Sequence, residues 1–102
     1  MRKIIKEVGE LVKKEFDVEE VILFGSFASG KPSQSSDLDI LVIMDTKLKP
    51  YKQSALIRMQ LDKKLGVKVP IDLIVRTPQQ INERLNLGDF FIKNILTNGV
   101  HL

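Results

Sequence analysis

Val21-Ile22-Leu23-Phe24-Gly25-Ser26 and, after a polar stretch, Asp37-Leu38-Asp39-Ile40-Leu41-Val42-Ile43-Met44 decide how this chain folds. The first run closes an apolar, β-branched segment, Val18 to Phe24, that stops at Gly-Ser, which predicts a strand ending in a tight turn. From Gly25 to Ser36 the chain is small and polar, with five Ser, two Gly and one Pro. Asp37 to Met44 then reads as a second strand, and it carries carboxylates where a core strand is more stable with Val or Thr.

On either side the periodicity changes from two to 3.6. Ile4, Ile5, Val8, Leu11, Val12 and Phe16 recur at helical spacing, predicting an amphipathic helix over residues 2–16 that Gly9 weakens. Tyr51 to Leu65 places Ile57, Leu61 and Leu65 one above another and stops at Gly66, a natural residue just past a helix end. Val67 to Val75 predicts a third strand, with Pro70 pointing to an edge or a bulge. Thr77-Pro78-Gln79-Gln80 combines a capping Thr, Pro at the first helical position and Gln at the capping-box position, so a helix starts there. After a break near Gly88, Phe91, Ile92, Ile95 and Leu96 form one stripe ending at Asn98-Gly99. The expected fold is α/β (α+β), a small mixed β-sheet packed against helices, with no repeat, linker or low-complexity segment.

The 102 residues are one domain's worth of chain, and 43% hydrophobic with 28% charged residues excludes a disordered tail or a rod. With no cysteine there is no disulfide scaffold, thiolate metal site or cysteine nucleophile, which fits a reducing compartment and makes the cytoplasm the expected location. The apolar runs fall far short of the roughly 20 residues that span a bilayer, and the charged start Met1-Arg2-Lys3-Ile4-Ile5-Lys6-Glu7 is no signal peptide, so the chain is expected to begin at Met1 and to have no membrane partner. A net charge of +3 and a pI near 9.3 come from scattered basic residues, too diffuse to argue for nucleic acid.

The chemistry sits in the carboxylates. Strand alternation places Asp37 and Asp39 on one face, with Leu38 and Ile40 on the other. If the second and third strands are neighbours, Asp72 of Pro70-Ile71-Asp72-Leu73-Ile74 joins them. Three such groups repel unless a cation sits among them, and hard oxygen ligands suit Mg²⁺ or Mn²⁺. Three carboxylates can hold two ions about 3.5–4 Å apart, the clamp used for in-line phosphoryl or nucleotidyl displacement. Taken singly, each residue has an ordinary reading: a solvated strand end for the Asp pair, a turn for Gly25-Ser26, a positive φ for Gly30. Their joint order raises the functional reading above these.

That order, Gly25-Ser26-Phe27-Ala28-Ser29-Gly30 through Ser36-Asp37-Leu38-Asp39-Ile40-Leu41-Val42 with Asp72 downstream, resembles the signature of the DNA polymerase β-like nucleotidyltransferase superfamily. At this length it looks like the minimal nucleotidyltransferase (MNT) group, the antitoxin partner type of helical HEPN toxins, with one such domain over residues 1–102. The resemblance implies the nucleotidyltransferase fold, nucleotide-binding positions at Gly25, Ser26, Gly30 and Ser36, and metal ligands and catalytic groups at Asp37, Asp39 and Asp72. In that reading Gly25 and Ser26 hold the triphosphate at a helix start, Asp37 and Asp39 bind both of two Mg²⁺ ions (or Mn²⁺), and Asp72 completes the second site and helps deprotonate the acceptor. The implied reaction moves AMP from ATP to a hydroxyl, a Tyr of a HEPN partner, with pyrophosphate leaving. Two other readings stand beside it: a catalytically silent module that neutralises a HEPN partner by occlusion, and an antibiotic-type nucleotidyltransferase working as a homo-oligomer. Phe27 and Ser29 depart from the pattern, since many members carry Arg there, and Phe27 is left to pack in the core or against a base. Lys31 reads as a solvated loop residue, Tyr51 as packed at its helix start, and the lone His101 as part of a frayed end. The Phe90-Phe91 pair and its stripe read as core; Leu87 to Leu96 nevertheless has more apolar positions than one stripe can cover, so part of it is expected to be exposed as a partner surface.

Overall fold

The computed structural model describes residues 2–32, 37–66 and 70–102. Along the chain run helix α1 (Arg2–Glu15), strand β1 (Glu20–Phe24), the single helical turn α2 (Gly25–Ser29), β2 (Leu38–Ile43), α3 (Pro50–Leu65), β3 (Ile71–Arg76), α4 (Pro78–Asn86), α5 (Phe90–Asn98) and the short β4 (Val100–His101). The strands form one sheet in the order β3-β2-β1-β4. β1 is antiparallel to both β2 and β4, whereas β2 and β3 are parallel, so the sheet is mixed as expected. A parallel pair cannot be closed by a hairpin, and α3 supplies the crossover.

Alternation along the strands sorts the apolar residues into two cores. Val21 and Leu23 of β1, Leu38, Ile40 and Val42 of β2 and Val75 of β3 meet Val8 and Val12 of α1 and Ile57 and Leu61 of α3. On the opposite face Ile22, Leu41 and Ile43 meet Ile81 of α4 and Ile92 and Ile95 of α5. Central β2 is therefore covered on both sides, which is why its sequence runs apolar without alternating. Ile40 is fully buried, and cutting it to Ala would cost about 2–5 kcal/mol.

Local signals are met where they are strongest. The Thr77 hydroxyl accepts from the Gln80 backbone N–H at 3.1 Å while the Gln80 side chain accepts from the Thr77 N–H at 2.9 Å, and Pro78 opens α4. Gly66 closes α3 in the left-handed region at φ 56°, its N–H donating to the Asp62 carbonyl. Pro70 precedes an edge strand, its carbonyl accepting from Leu38 N–H at 2.9 Å; residues 67–69 of the expected strand lie outside the described residues.

Several details differ from expectation, among them the Phe90-Phe91 pair read as core: Phe90 is 82% and Phe91 54% exposed, because Ile92 and Ile95 are the α5 residues that turn to the sheet. β1 begins at Glu20, not Val18, and the turn after it is wound into α2. The chain end is not frayed: Val100 and His101 pair with Leu23 and Ile22 on the free edge of β1, and Leu102 N–H donates to the Val21 carbonyl at 2.8 Å. A two-residue strand has no periodicity to detect, and it exists only because that edge is open to it. Tyr51 is 65% exposed and does not pack at its helix start, where Gln53, held by the Thr46 hydroxyl, is the buried residue. Among the described residues no helix is long and apolar enough to cross a membrane.

Candidate active site

The sheet register lines up three residues across the end of the sheet. Phe24, the last residue of β1, faces Asp39 of β2, and Asp39 faces Asp72 of β3. Asp39 is the one position of β2 that is not buried, and Asp72 is exposed on the edge strand. Both carboxylates alternate with residues of the α1/α3 core, so they lie on the face that carries α4 and α5. Asp37, two residues before Asp39, is exposed at the mouth of β2.

Gly25 joins this row from the other strand. It takes φ 75°, and a Cβ built on it would overlap the Asp39 carboxylate. Glycine is thus needed twice here, for the left-handed backbone that starts α2 and for the approach of that backbone to Asp39. Half-buried Ser26 follows, and its carbonyl accepts from the Ser29 hydroxyl and from Lys31 N–H, each at 3.0 Å. Gly30 ends the turn at φ 77°. The structure so brings Gly25 beside Asp39, with Ser26 next in the chain and Gly30 closing the same turn; Ser36 lies outside the described residues.

Charge is concentrated at this end. Partial burial, then Asp72, then Asp37 hold the Asp39 carboxyl above its ordinary range, so the three groups act on one another. Among the described residues no three His, Cys, Asp or Glu side chains are drawn together tightly enough to enclose an ion as they stand. The donor set nevertheless fits Mg²⁺: hard oxygens, two of them register partners, whose repulsion a cation would relieve.

A cleft of about 470 Å³ opens beside Asp39, with Gly25 and Ser29 on one side and Phe91, Asn94 and Asn98 of α5 on the other. Phe91 meets Phe24 edge to face, ring centroids 5.7 Å apart. The three α5 residues share one helix face at i, i+3 and i+7. In the sequence Asn94 belongs to no motif, and Asn98 marks only the expected end of the helix. Phe27 points the other way: it packs on the α1/α3 core and lines a separate apolar cleft with Ile5, Gly9 and Leu102. Of its two readings, core packing is the one found.

The nucleotidyltransferase domain family matches residues 1–101 of the chain. Two Methanocaldococcus jannaschii proteins, each carrying the name "putative protein adenylyltransferase", are similar in sequence. One is 34% identical over 77 residues, 74% of this chain and 75% of its own. The other is 32% identical over 99 residues, 95% of this chain and 92% of its own. A crystal structure described as a putative nucleotidyltransferase from Sulfolobus solfataricus shares the fold, with a TM-score of 0.63 over 97% of this chain and 76% of that one at 22% identity.

Proposed function

The chain belongs to the nucleotidyltransferase domain family, and on that premise we propose that it transfers AMP from ATP, with Mg²⁺, to a Tyr hydroxyl of a HEPN-type helical partner and thereby acts as an antitoxin. The observation that carries this reading is the row of Asp39 and Asp72 next to Gly25, a carboxylate pair laid against a tight glycine turn. Adenylyl transfer to a protein is supported by the name that the two M. jannaschii relatives carry.

Bound Mg²⁺ would neutralise the triphosphate and favour in-line displacement. Asp37 and Asp39 would hold both ions, and Asp72 the second. In the transfer the acceptor oxygen bonds to the α-phosphorus while the bond from that phosphorus to the bridging oxygen breaks. Pyrophosphate leaves with the bonding electron pair, and the acceptor proton passes to the Asp72 carboxylate. Asp72 is exposed on an edge strand, where a side chain of another protein can reach it. Gly25 and Ser26 hold the phosphates against Asp39.

One observation favours the occluding module as a second reading. Where many members carry Arg, Phe27 is packed on the core and Ser29 donates to the Ser26 carbonyl, so α2 brings no cation to a phosphate. Incubating the protein and a HEPN-type partner with α-labelled ATP and Mg²⁺ separates the two. Label should pass to the partner with wild type and be absent with Asp37→Asn/Asp39→Asn. A double variant that neutralises the partner as well as wild type does would establish occlusion and reject transfer.

A further inference from the structure

At the α5 side of the cleft, Asn98 Nδ2 donates to Asn94 Oδ1 at 2.6 Å. This bond leaves the Asn94 amino group and the Asn98 carbonyl oxygen without a partner from the other amide. Exchanging oxygen and nitrogen in both amides gives the same result, one donor beside one acceptor, so the conclusion does not depend on how either amide is turned. A nucleobase edge presents the complementary pair, as adenine does with its N6 amino group beside a ring nitrogen. Phe24 and Phe91, edge to face, line the same cleft as the amides and Asp39, and Phe91 is 54% exposed, leaving ring surface for a base to cover. The open cleft, about 470 Å³, is within the usual range for a small-molecule site.

We infer that Phe91, Asn94 and Asn98 form the nucleobase seat of this protein, with the base on α5 and the phosphates running toward Gly25 and Asp39. The inference rests on the reading above that the site takes a nucleoside triphosphate. It assigns recognition of the base to two α5 side chains.

Titration calorimetry with Mg²⁺ tests it, using ATP, CTP, UTP and inorganic tripolyphosphate, the last as a probe with no base. Both Asn side chains are exposed, so their loss leaves the core intact. Asn94→Ala/Asn98→Ala should weaken ATP binding about tenfold or more, the loss expected for one or two hydrogen bonds. It should leave tripolyphosphate binding unchanged, and CTP and UTP, whose bases also present a donor beside an acceptor, should weaken with ATP. Asn94→Gln should keep much of the ATP affinity, because the amide is retained. A helix-supporting role alone would shift the melting temperature and leave ATP binding as it was relative to tripolyphosphate, which overturns the seat. Wild type that binds ATP no better than tripolyphosphate also overturns the seat, with the phosphate site standing. Wild type that binds neither overturns the underlying reading, and the seat falls with it.

Discussion

Asp39 stands directly beside Asp72 across the parallel β2–β3 pair, so two carboxylates share one face at adjacent register positions. Burial, Asp72 and then Asp37 raise the Asp39 pKa above its value in the unfolded chain. The folded protein then holds this proton more tightly than the unfolded chain does. The stability linked to it is fully present below the ordinary Asp range and is lost as pH rises through the folded value. At neutral pH and without metal, Asp39→Asn should therefore stabilise the protein. Like charges placed opposite each other on a sheet cost about 0.2–1 kcal/mol, which is a shift of a few degrees in a domain of this size. Scanning calorimetry in chelator checks this, and a lowered melting temperature would contradict it. The same variant should lose transfer, the usual opposition between stability and a charged site.

Gly25→Ala should damage fold and site together. The left-handed backbone at φ 75° costs a side-chain-bearing residue about 1 kcal/mol, and the added methyl collides with the Asp39 carboxylate. Gly30→Ala serves as the control, since it shares the positive φ but nothing lies within 4 Å of its Cβ position. Denaturant unfolding should show both variants destabilised, with Gly25→Ala the worse. Metal-dependent ATP binding should fall further in Gly25→Ala, whose added methyl also displaces the Asp39 carboxylate.

His101 fastens the edge strand in a pH-dependent way. Its Nδ1 lies 3.0 Å from a Glu20 carboxylate oxygen and its Nε2 3.3 Å from the Leu96 carbonyl oxygen. Only the imidazolium donates to both, and the Glu20 hydrogen bond, then the Leu96 carbonyl, raise its pKa. The contribution is complete below the unfolded value of about 6.5 and fades as pH rises through the folded one. The pair is half exposed, so its contribution to stability stays below about 1 kcal/mol. An NMR titration of the ring should place the wild-type midpoint above that of Glu20→Gln; equal midpoints would remove the link.

What could be read from the sequence depended on how local its cause was. The start of α4 was plain because Thr77, Pro78 and Gln80 act within one turn of chain. Asp39 could be set on the face opposite Leu38 and Ile40 by alternation alone; Asp37 precedes the first residue of β2, so alternation does not place it. The nearness of Asp39 to Asp72 required β2 and β3 to be neighbours, which no local pattern states. β4 and the turn α2 are too short for periodicity, and β4 depends on a distant partner, the open edge of β1. Asn94 and Asn98 belong to no local pattern; it is the packing of Ile92 and Ile95 on the sheet that turns their face to the cleft beside Gly25.

The neighbouring surface of α5 makes a separate prediction. Phe90 is 82% and Leu87 81% exposed, while Ile92 and Ile95 fill the core beneath, so two large apolar side chains sit uncovered at the start of the helix. Apolar surface of that kind, rimmed by polar residues, marks a place for another protein. Under the proposed function the occupant is the helical partner. Phe90→Glu should then abolish co-purification with that partner, while the melting temperature and ATP affinity of the free chain stay at wild-type values, because the ring covers nothing in this chain. Phe91→Glu should act differently: its ring touches Phe24 and lines the cleft, so ATP binding should weaken as well. Size-exclusion chromatography with light scattering, run beside calorimetry, reads both outcomes. A Phe90→Glu protein that still holds the partner at wild-type strength would move the partner surface elsewhere on the molecule.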